Sequence, residues 1–241
     1  MIPPEIARII DANGNRAREA LRVMEEYARF VLNDPAGCEA VKRLRHELAE
    51  VMERWSDSEL LLARDTPNDV GTSISTVSEA VRGDARSVFT AAAKRLPEAL
   101  RAIEEYAKTW DAAQAGRCES IRYRAYELEQ RLQLRGALAA RFARVQLYVI
   151  LTESLCRKPW KETLIDALEG GATCIQLREK DWDDDKLLTR AREVTAICHD
   201  RGALFVMNDR PDVARLCEAD GVHLGQTDMR VVDARRIVGH A

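Results

Sequence analysis

The feature that most restricts how this chain can fold is an internal repeat in its first half. Glu19-Ala20-Leu21-Arg22 recurs as Glu98-Ala99-Leu100-Arg101, and Glu25-Glu26-Tyr27-Ala28 as Glu104-Glu105-Tyr106-Ala107, each 79 residues on. Cys38-Glu39 recurs as Cys118-Glu119 and Glu47-Leu48 as Glu127-Leu128, now 80 residues on, a change that one inserted residue between two helices explains. In the first copy Leu21, Met24, Ala28 and Val31 follow three- and four-residue steps, the period of an amphipathic helix. Asn33-Asp34-Pro35-Ala36-Gly37 breaks that helix. Leu44, Leu48, Val51 and Trp55 then mark the apolar side of a second helix, from Cys38 to about Arg54. A unit of this size cannot bury its apolar stripe alone. The expectation is an all-α bundle of two copies of one helical hairpin, over residues 1–140.

From residue 145 the pattern changes. Short apolar runs at Gln146–Leu151, Thr173–Leu177, Leu204–Met207 and Gly221–Leu224 alternate with helical patterns at Trp160–Glu169, Asp184–Asp200, Pro211–Ala219 and Val231–Val238. Strand–helix alternation predicts an α/β domain with a parallel sheet and right-handed crossovers, over residues 145–241. Polar residues gather where these strands end. Gln176-Leu177-Arg178-Glu179-Lys180 puts an amide and two cations on one side of an extended segment. Asn208-Asp209 follows the third strand and Gly225-Gln226-Thr227-Asp228 the fourth. Cations for phosphate oxygens and two carboxylates for a magnesium ion compose a diphosphate site. Each motif alone is equally an ordinary polar strand cap; three at successive strand ends argue against that. His223, beside them, reads as a packing residue of its strand.

The order QxRxK, ND and GQxD, after Leu147-Tyr148-Val149-Ile150-Leu151-Thr152, resembles the thiamine-phosphate synthase family from about Val145 onward. The resemblance implies a TIM barrel with its chemistry at the C-terminal strand ends. It also implies that Gln176, Leu177, Arg178, Glu179 and Lys180, with Asn208, bind hydroxymethylpyrimidine diphosphate, and that Asp209 and Asp228 bind Mg2+. The implied reaction is loss of diphosphate to a pyrimidine-methyl cation, captured by thiazole phosphate to give thiamine phosphate. It needs electrostatic stabilisation and no protein nucleophile. Residues 145–241 offer four of the eight strand–helix units. The expected fold is therefore a partial TIM (β/α)8 barrel truncated after about four units, the N-terminal part of a longer bifunctional protein. Its open edges predict a homo-oligomer or loss of synthase activity.

The helical half resembles the small hydroxymethylpyrimidine-phosphate kinase domain fused upstream of some thiamine-phosphate synthases. The residues that carry this likeness are Asp11-Ala12-Asn13-Gly14-Asn15-Arg16, then Glu19, Arg22, Glu25 and Glu26, and Arg64-Asp65 through Asp69-Val70-Gly71. It implies ATP as co-substrate, phosphates on Arg16, Arg22, Arg64 and Arg101, and Mg2+ on Asp65 and Asp69. The polar stretch from Arg64 to Ser73 stands outside the repeat; it suits phosphate and metal, and equally suits a connecting loop. There is no Gly-rich P-loop and no GxGxxG, so a nucleotide site here is of neither type. Two other readings stand beside this one. The helical half is a non-catalytic dimerisation or scaffolding module, or the barrel handles an unrelated phosphate substrate.

The totals exclude several classes. A net charge of −3 is too mild to argue for nucleic acid or an anionic membrane surface. No apolar run approaches the ~20 residues of a membrane helix, and Met1-Ile2-Pro3-Pro4-Glu5 lacks the pattern of a secretion signal. Cys38, Cys118, Cys156, Cys174, Cys198 and Cys217 form no CxxC pair and read as reduced core thiols. The prediction is a cytoplasmic enzyme of small-molecule substrates.

Overall fold

A computed structural model describes residues 2–55, 57–70 and 81–239. The chain divides into two compact units, Met1–Gly136 and Ala137–Ala241.

The first unit is helical. It holds α1 (Pro4–Glu26), a π-turn (Tyr27–Val31), α2 (Pro35–Glu53), α3 (Asp57–Ala63), α4 (Ala85–Ala107) and α5 (Ala112–Phe142) up to Gly136. The starts are chemically marked. Pro4 and Pro35 open α1 and α2, where the missing N–H has no partner to lose. Asp84 accepts from the Ser87 amide at 2.6 Å, and Ser87 Oγ accepts from the Asp84 amide at 3.0 Å, a reciprocal cap on α4. Leu21, Met24, Leu48, Phe89, Leu100 and Ile121 are fully buried in one core shared by α1, α2, α4 and α5. Val31 departs from the expected stripe: the π-turn adds a residue per turn and rotates it outward, leaving it 50% exposed. Helix α5 runs unbroken through Arg135-Gly136-Ala137. A Cβ at Gly136 would lie 2.3 Å from Tyr27 Oη, so the glycine there serves close packing.

The second unit alternates β1 (Tyr148–Leu151), a 3-10 turn (Glu153–Leu155), α6 (Trp160–Glu169), β2 (Cys174–Leu177), α7 (Asp184–Asp200), β3 (Leu204–Asn208), α8 (Pro211–Leu216), β4 (Gly221–His223) and α9 (Val231–Val238). The strands form one parallel sheet in the order β1-β2-β3-β4, as the alternation predicts. Ile175, Leu177, Phe205 and Met207 pack with Leu164, Leu187 and Val194 of the helices. Cys174, Leu204 and Val206 face the other way, onto Leu138, Phe142 and Val145. Both faces of β2 and β3 are thus covered, which is why these runs are continuously apolar. On that second face Ile150, Gln176, Val206 and Gly221 share one row, and Asn208 and His223 the next. Helix α8 stops at Leu216, short of Ala219, because Glu218 turns the chain with φ 57. His223 is exposed rather than packed, since β4 is an outer strand of the four. No helix among the described residues is long and apolar enough to cross a membrane.

Candidate functional site

Gln176 is buried and donates from Nε2 to Tyr148 Oη at 3.1 Å. Burial pushes the Tyr148 phenol up to about 12, so it stays neutral. Strand β2 ends at Leu177, so the alternation expected for Gln176, Arg178 and Lys180 carries only to the strand end. Beyond it three hydrogen bonds tie the chain to the turn after β1. The Arg178 amide donates to Leu151 O at 2.9 Å. Thr152 Oγ1 donates to Arg178 O at 2.8 Å, and the Glu153 amide donates to Glu179 Oε1 at 2.5 Å. Burial pushes the Glu179 carboxyl up, with Lys186 opposing and Asp181 adding to it. Leu177 sits in the helix-side core and has only its backbone to offer a ligand. Arg190 pairs with Glu153 and Glu193, and Arg210 with Asp184 and Asp212. Arg178 and Lys180, by contrast, take part in no ion pair among the described residues.

At the end of β3, Asn208 is buried and Asp209 takes φ 60, its amide donating to His223 O at 2.8 Å. Aspartate tolerates this left-handed conformation better than most residues. The turn brings Asp209 against Asp228, whose Oδ2 also accepts from the Gly225 amide at 2.6 Å. Asp209 is held above the ordinary carboxylate range, by burial first and then by the Asp228 carboxyl; the Asn208 amide and the Lys180 charge oppose this. Two adjacent carboxylates, one resisting ionisation, fit a divalent cation. Among the described residues no third acid, histidine or cysteine joins them. The remaining coordination would come from ligand oxygens and water, the arrangement magnesium favours.

The raised Asp209 pKa gives two opposite pH effects. A cation held by this pair would need both carboxylates ionised, so its binding would be lost as pH falls through that pKa, earlier than for an ordinary carboxylate. In the ligand-free chain the same shift favours the protonated fold. This group's stabilisation is full below the unfolded pKa and is lost as pH rises through the folded one. Calorimetry with magnesium pyrophosphate and ligand-free thermal unfolding, each run from mildly acid to neutral pH, should therefore trend in opposite directions.

In the helical unit a cleft of about 300 Å³ is lined by Arg8, Asp11, Ala12, Asn15, Arg64, Asp65, Thr66 and Asp69. Arg8, Asp11, Ala12 and Asn15 share one face of α1 at helical spacing. Buried Asp11 accepts from Arg64 at 2.8 Å (Nε) and 2.7 Å (Nη2), and from Asn15 at 3.2 Å. Asp65 accepts from Asn68 at 2.9 Å, and its carbonyl accepts from Arg8 at 3.4 Å. Arg64, Asp65 and Asp69 thus come together. Arg16 and Arg22 are exposed, Arg22 two turns beyond Asn15 on the same face of α1, and Arg101 of α4 is engaged by Glu104 and Glu105; none of the three lines the cleft. Gly71, Thr72 and Ser73 lie outside the described residues. Sequence reasoning missed Arg8, Asp11 and Asn15 as a set, although their helical spacing was readable. The pairing of Asp11 with Arg64 leaves no local signal. A further cleft of about 420 Å³ beside β1 and α6 is lined by Val149, Leu151, Leu155, Leu164 and Ile175, with Arg157, Lys158 and Asp166 among its polar residues.

Comparison with known proteins gives two family matches. The ThiD2 family model matches residues 8–131, and the model described as thiamine monophosphate synthase matches residues 147–241. A thiamine-phosphate synthase of Synechocystis sp. is 43% identical over 237 residues, covering 98% of this chain and 67% of its own. One from Rhodopirellula baltica is 42% identical over 238 residues, covering 97% of this chain and 64% of its own. A solved thiamine phosphate pyrophosphorylase from Pyrococcus furiosus is 38% identical, covering 40% of this chain and 46% of that one, with a TM-score of 0.38. The chain spans about two thirds of the length of the curated relatives it matches.

Proposed function

The chain belongs to the thiamine-phosphate synthase family, with a ThiD2 family region ahead of the synthase region, and on that footing we propose that it serves thiamine biosynthesis through two small-molecule sites. The first is the strand-end site of residues 145–241. Gln176, Arg178, Lys180 and Asn208 hold hydroxymethylpyrimidine diphosphate there, with Leu177 and Glu179 shaping the same loop. Asp209 and Asp228 hold Mg2+, which when bound offsets charge on the departing diphosphate. Gln176 and Asn208 orient the ligand, Arg178 and Lys180 take the negative charge, and thiazole phosphate is the acceptor. The observation that carries this reading is two cations, Arg178 and Lys180, in no ion pair among the described residues, with the Lys180 charge acting on Asp209 of the Asp209–Asp228 pair. The sheet is, in this reading, four units of the family's (β/α)8 barrel.

The second site is the cleft of the helical unit, residues 1–140, which we read as a duplicated hairpin. Arg64, Asp65 and Asp69, with Arg8, Asp11 and Asn15, take hydroxymethylpyrimidine phosphate, with ATP as donor and Mg2+ on the acids. Arg16, Arg22 and Arg101 would reach a phosphate only from outside that cleft. The open sheet edges also favour a homo-oligomer.

Calorimetric titration with magnesium pyrophosphate, followed by displacement with hydroxymethylpyrimidine diphosphate, tests the strand-end reading. Saturable, magnesium-dependent binding that the pyrimidine diphosphate displaces is expected. Binding without displacement favours another phosphate substrate, and no binding removes the reading.

A further inference from the structure

The strand-end site is held by a residue that has no place in its motifs. Arg190 of α7 lies with its guanidinium 3.9 Å over the Trp160 ring and 5.4 Å from that of Trp182. Its side chain is 16% exposed, and it pairs with Glu153 and, at 3.0 Å, with Glu193. Lys186, one turn earlier, lies 3.8 Å over the same Trp182 ring. A planar cation fixed by an aromatic face and a carboxylate has little rotational freedom left.

What it fixes matters more. The Glu153 carboxylate meets Arg190, while the Glu153 backbone amide donates to Glu179 Oε1 at 2.5 Å. Glu179 stands between Arg178 and Lys180. Drawing its side chain to the β1 turn sets the backbone direction of both neighbours.

We propose that Arg190 is the positioning residue of the diphosphate end of this site: held against Trp160 and Trp182, it pins Glu153, which holds Glu179 and so aims Arg178 and Lys180. This rests on the reading of the strand ends as a diphosphate site. Arg190 itself touches no ligand. Its effect passes through one turn and one hydrogen bond, as groups behind a binding residue commonly act.

The test uses the full chain, with magnesium pyrophosphate as probe. Arg190→Met keeps the stem on the indoles and removes the charge; its affinity should fall about tenfold, the lower end for loss of a supporting partner. Arg190→Lys should recover most of that. Glu153→Gln should weaken binding to a similar extent, and the Arg190→Met/Glu153→Gln double variant no further, because both cut one path. By NMR the Glu153 amide proton should move upfield in Arg190→Met, reporting the loosened bond to Glu179, a signature that thermal softening elsewhere would not give. Unchanged affinity in Arg190→Met, additive losses in the double variant, or an unmoved Glu153 amide would overturn the proposal. Arg178→Ala separates the two layers. If it binds like the parent chain, or the parent does not bind, the diphosphate reading fails and the positioning role falls with it. If it alone loses binding, only the positioning role fails.

Discussion

Asp209→Asn should lose magnesium-dependent pyrophosphate binding by about a hundredfold, as expected for removing one charged partner of a bound ion, and should melt at a higher temperature without ligand. Both effects follow from the geometry. Asparagine accepts the φ of 60 that the turn after Asn208 requires, so the backbone bond to His223 survives. The change removes the carboxyl that burial and Asp228 already hold above its usual range, and with it a like-charge contact. Function and stability thus pull apart at one atom group. Asp228→Asn should behave alike, since its amide oxygen can still accept from the Gly225 amide. Calorimetry and a ligand-free melting curve on each variant settle the point. A variant that binds normally, or loses binding and stability together, would show that the pair is structural.

Glu104→Leu should destabilise the helical unit by about 3–5 kcal/mol, the usual cost of leaving one half of a buried ion pair. Glu104 has a side chain 1% exposed and meets Arg122 at 3.0 Å, Arg101 at 2.6 Å and Lys108 at 3.0 Å. Burial pushes its carboxyl up, yet Lys108 and Arg122 outweigh this and leave it below the ordinary range. A depressed folded pKa stabilises above the unfolded pKa, and that contribution is lost as pH falls through the folded value. Without Glu104, Arg122 keeps Tyr123, Tyr126 and, at 3.8 Å, the half-exposed Glu119, none of which replaces the buried carboxylate against a side chain 9% exposed. Arg101 and Lys108 are half exposed and turn to water at little cost. Glu104→Leu/Arg122→Leu should therefore recover most of the loss, because the penalty lies in the orphaned charge and not in the missing attraction. Urea unfolding of the parent and the three variants measures this; a double variant no better than Glu104→Leu would contradict it.

The elements were legible because their signals are local. Leu21, Met24 and Ala28 sit where helical spacing puts them, and α6, α7 and α9 run over the residues their patterns mark out. Asn208, Asp209, Asp228 and Lys180 meet because a parallel sheet brings its strand ends to one edge, so their order along the chain was enough. The rest was not legible because it depends on partners distant in sequence. Asp11 finds Arg64, Glu104 finds Arg122, and Arg190 finds Trp160 only once the helices pack. Gly136 carries no local sign that Tyr27 packs against it. Val31 fits the stripe until a π-turn shifts its phase. Glu179 looks like a ligand group between two cations, and its carboxylate is bonded to the Glu153 amide.

The measurement that bears most directly on the two-site account gives the purified chain hydroxymethylpyrimidine phosphate, ATP, Mg2+ and thiazole phosphate, and quantifies pyrimidine diphosphate and thiamine phosphate. The account predicts ATP-dependent formation of the pyrimidine diphosphate, lost in Asp65→Asn and kept in Arg16→Ala. Neither product forming, from a chain whose helical unit is folded by circular dichroism, would contradict it and favour a scaffolding role for that unit.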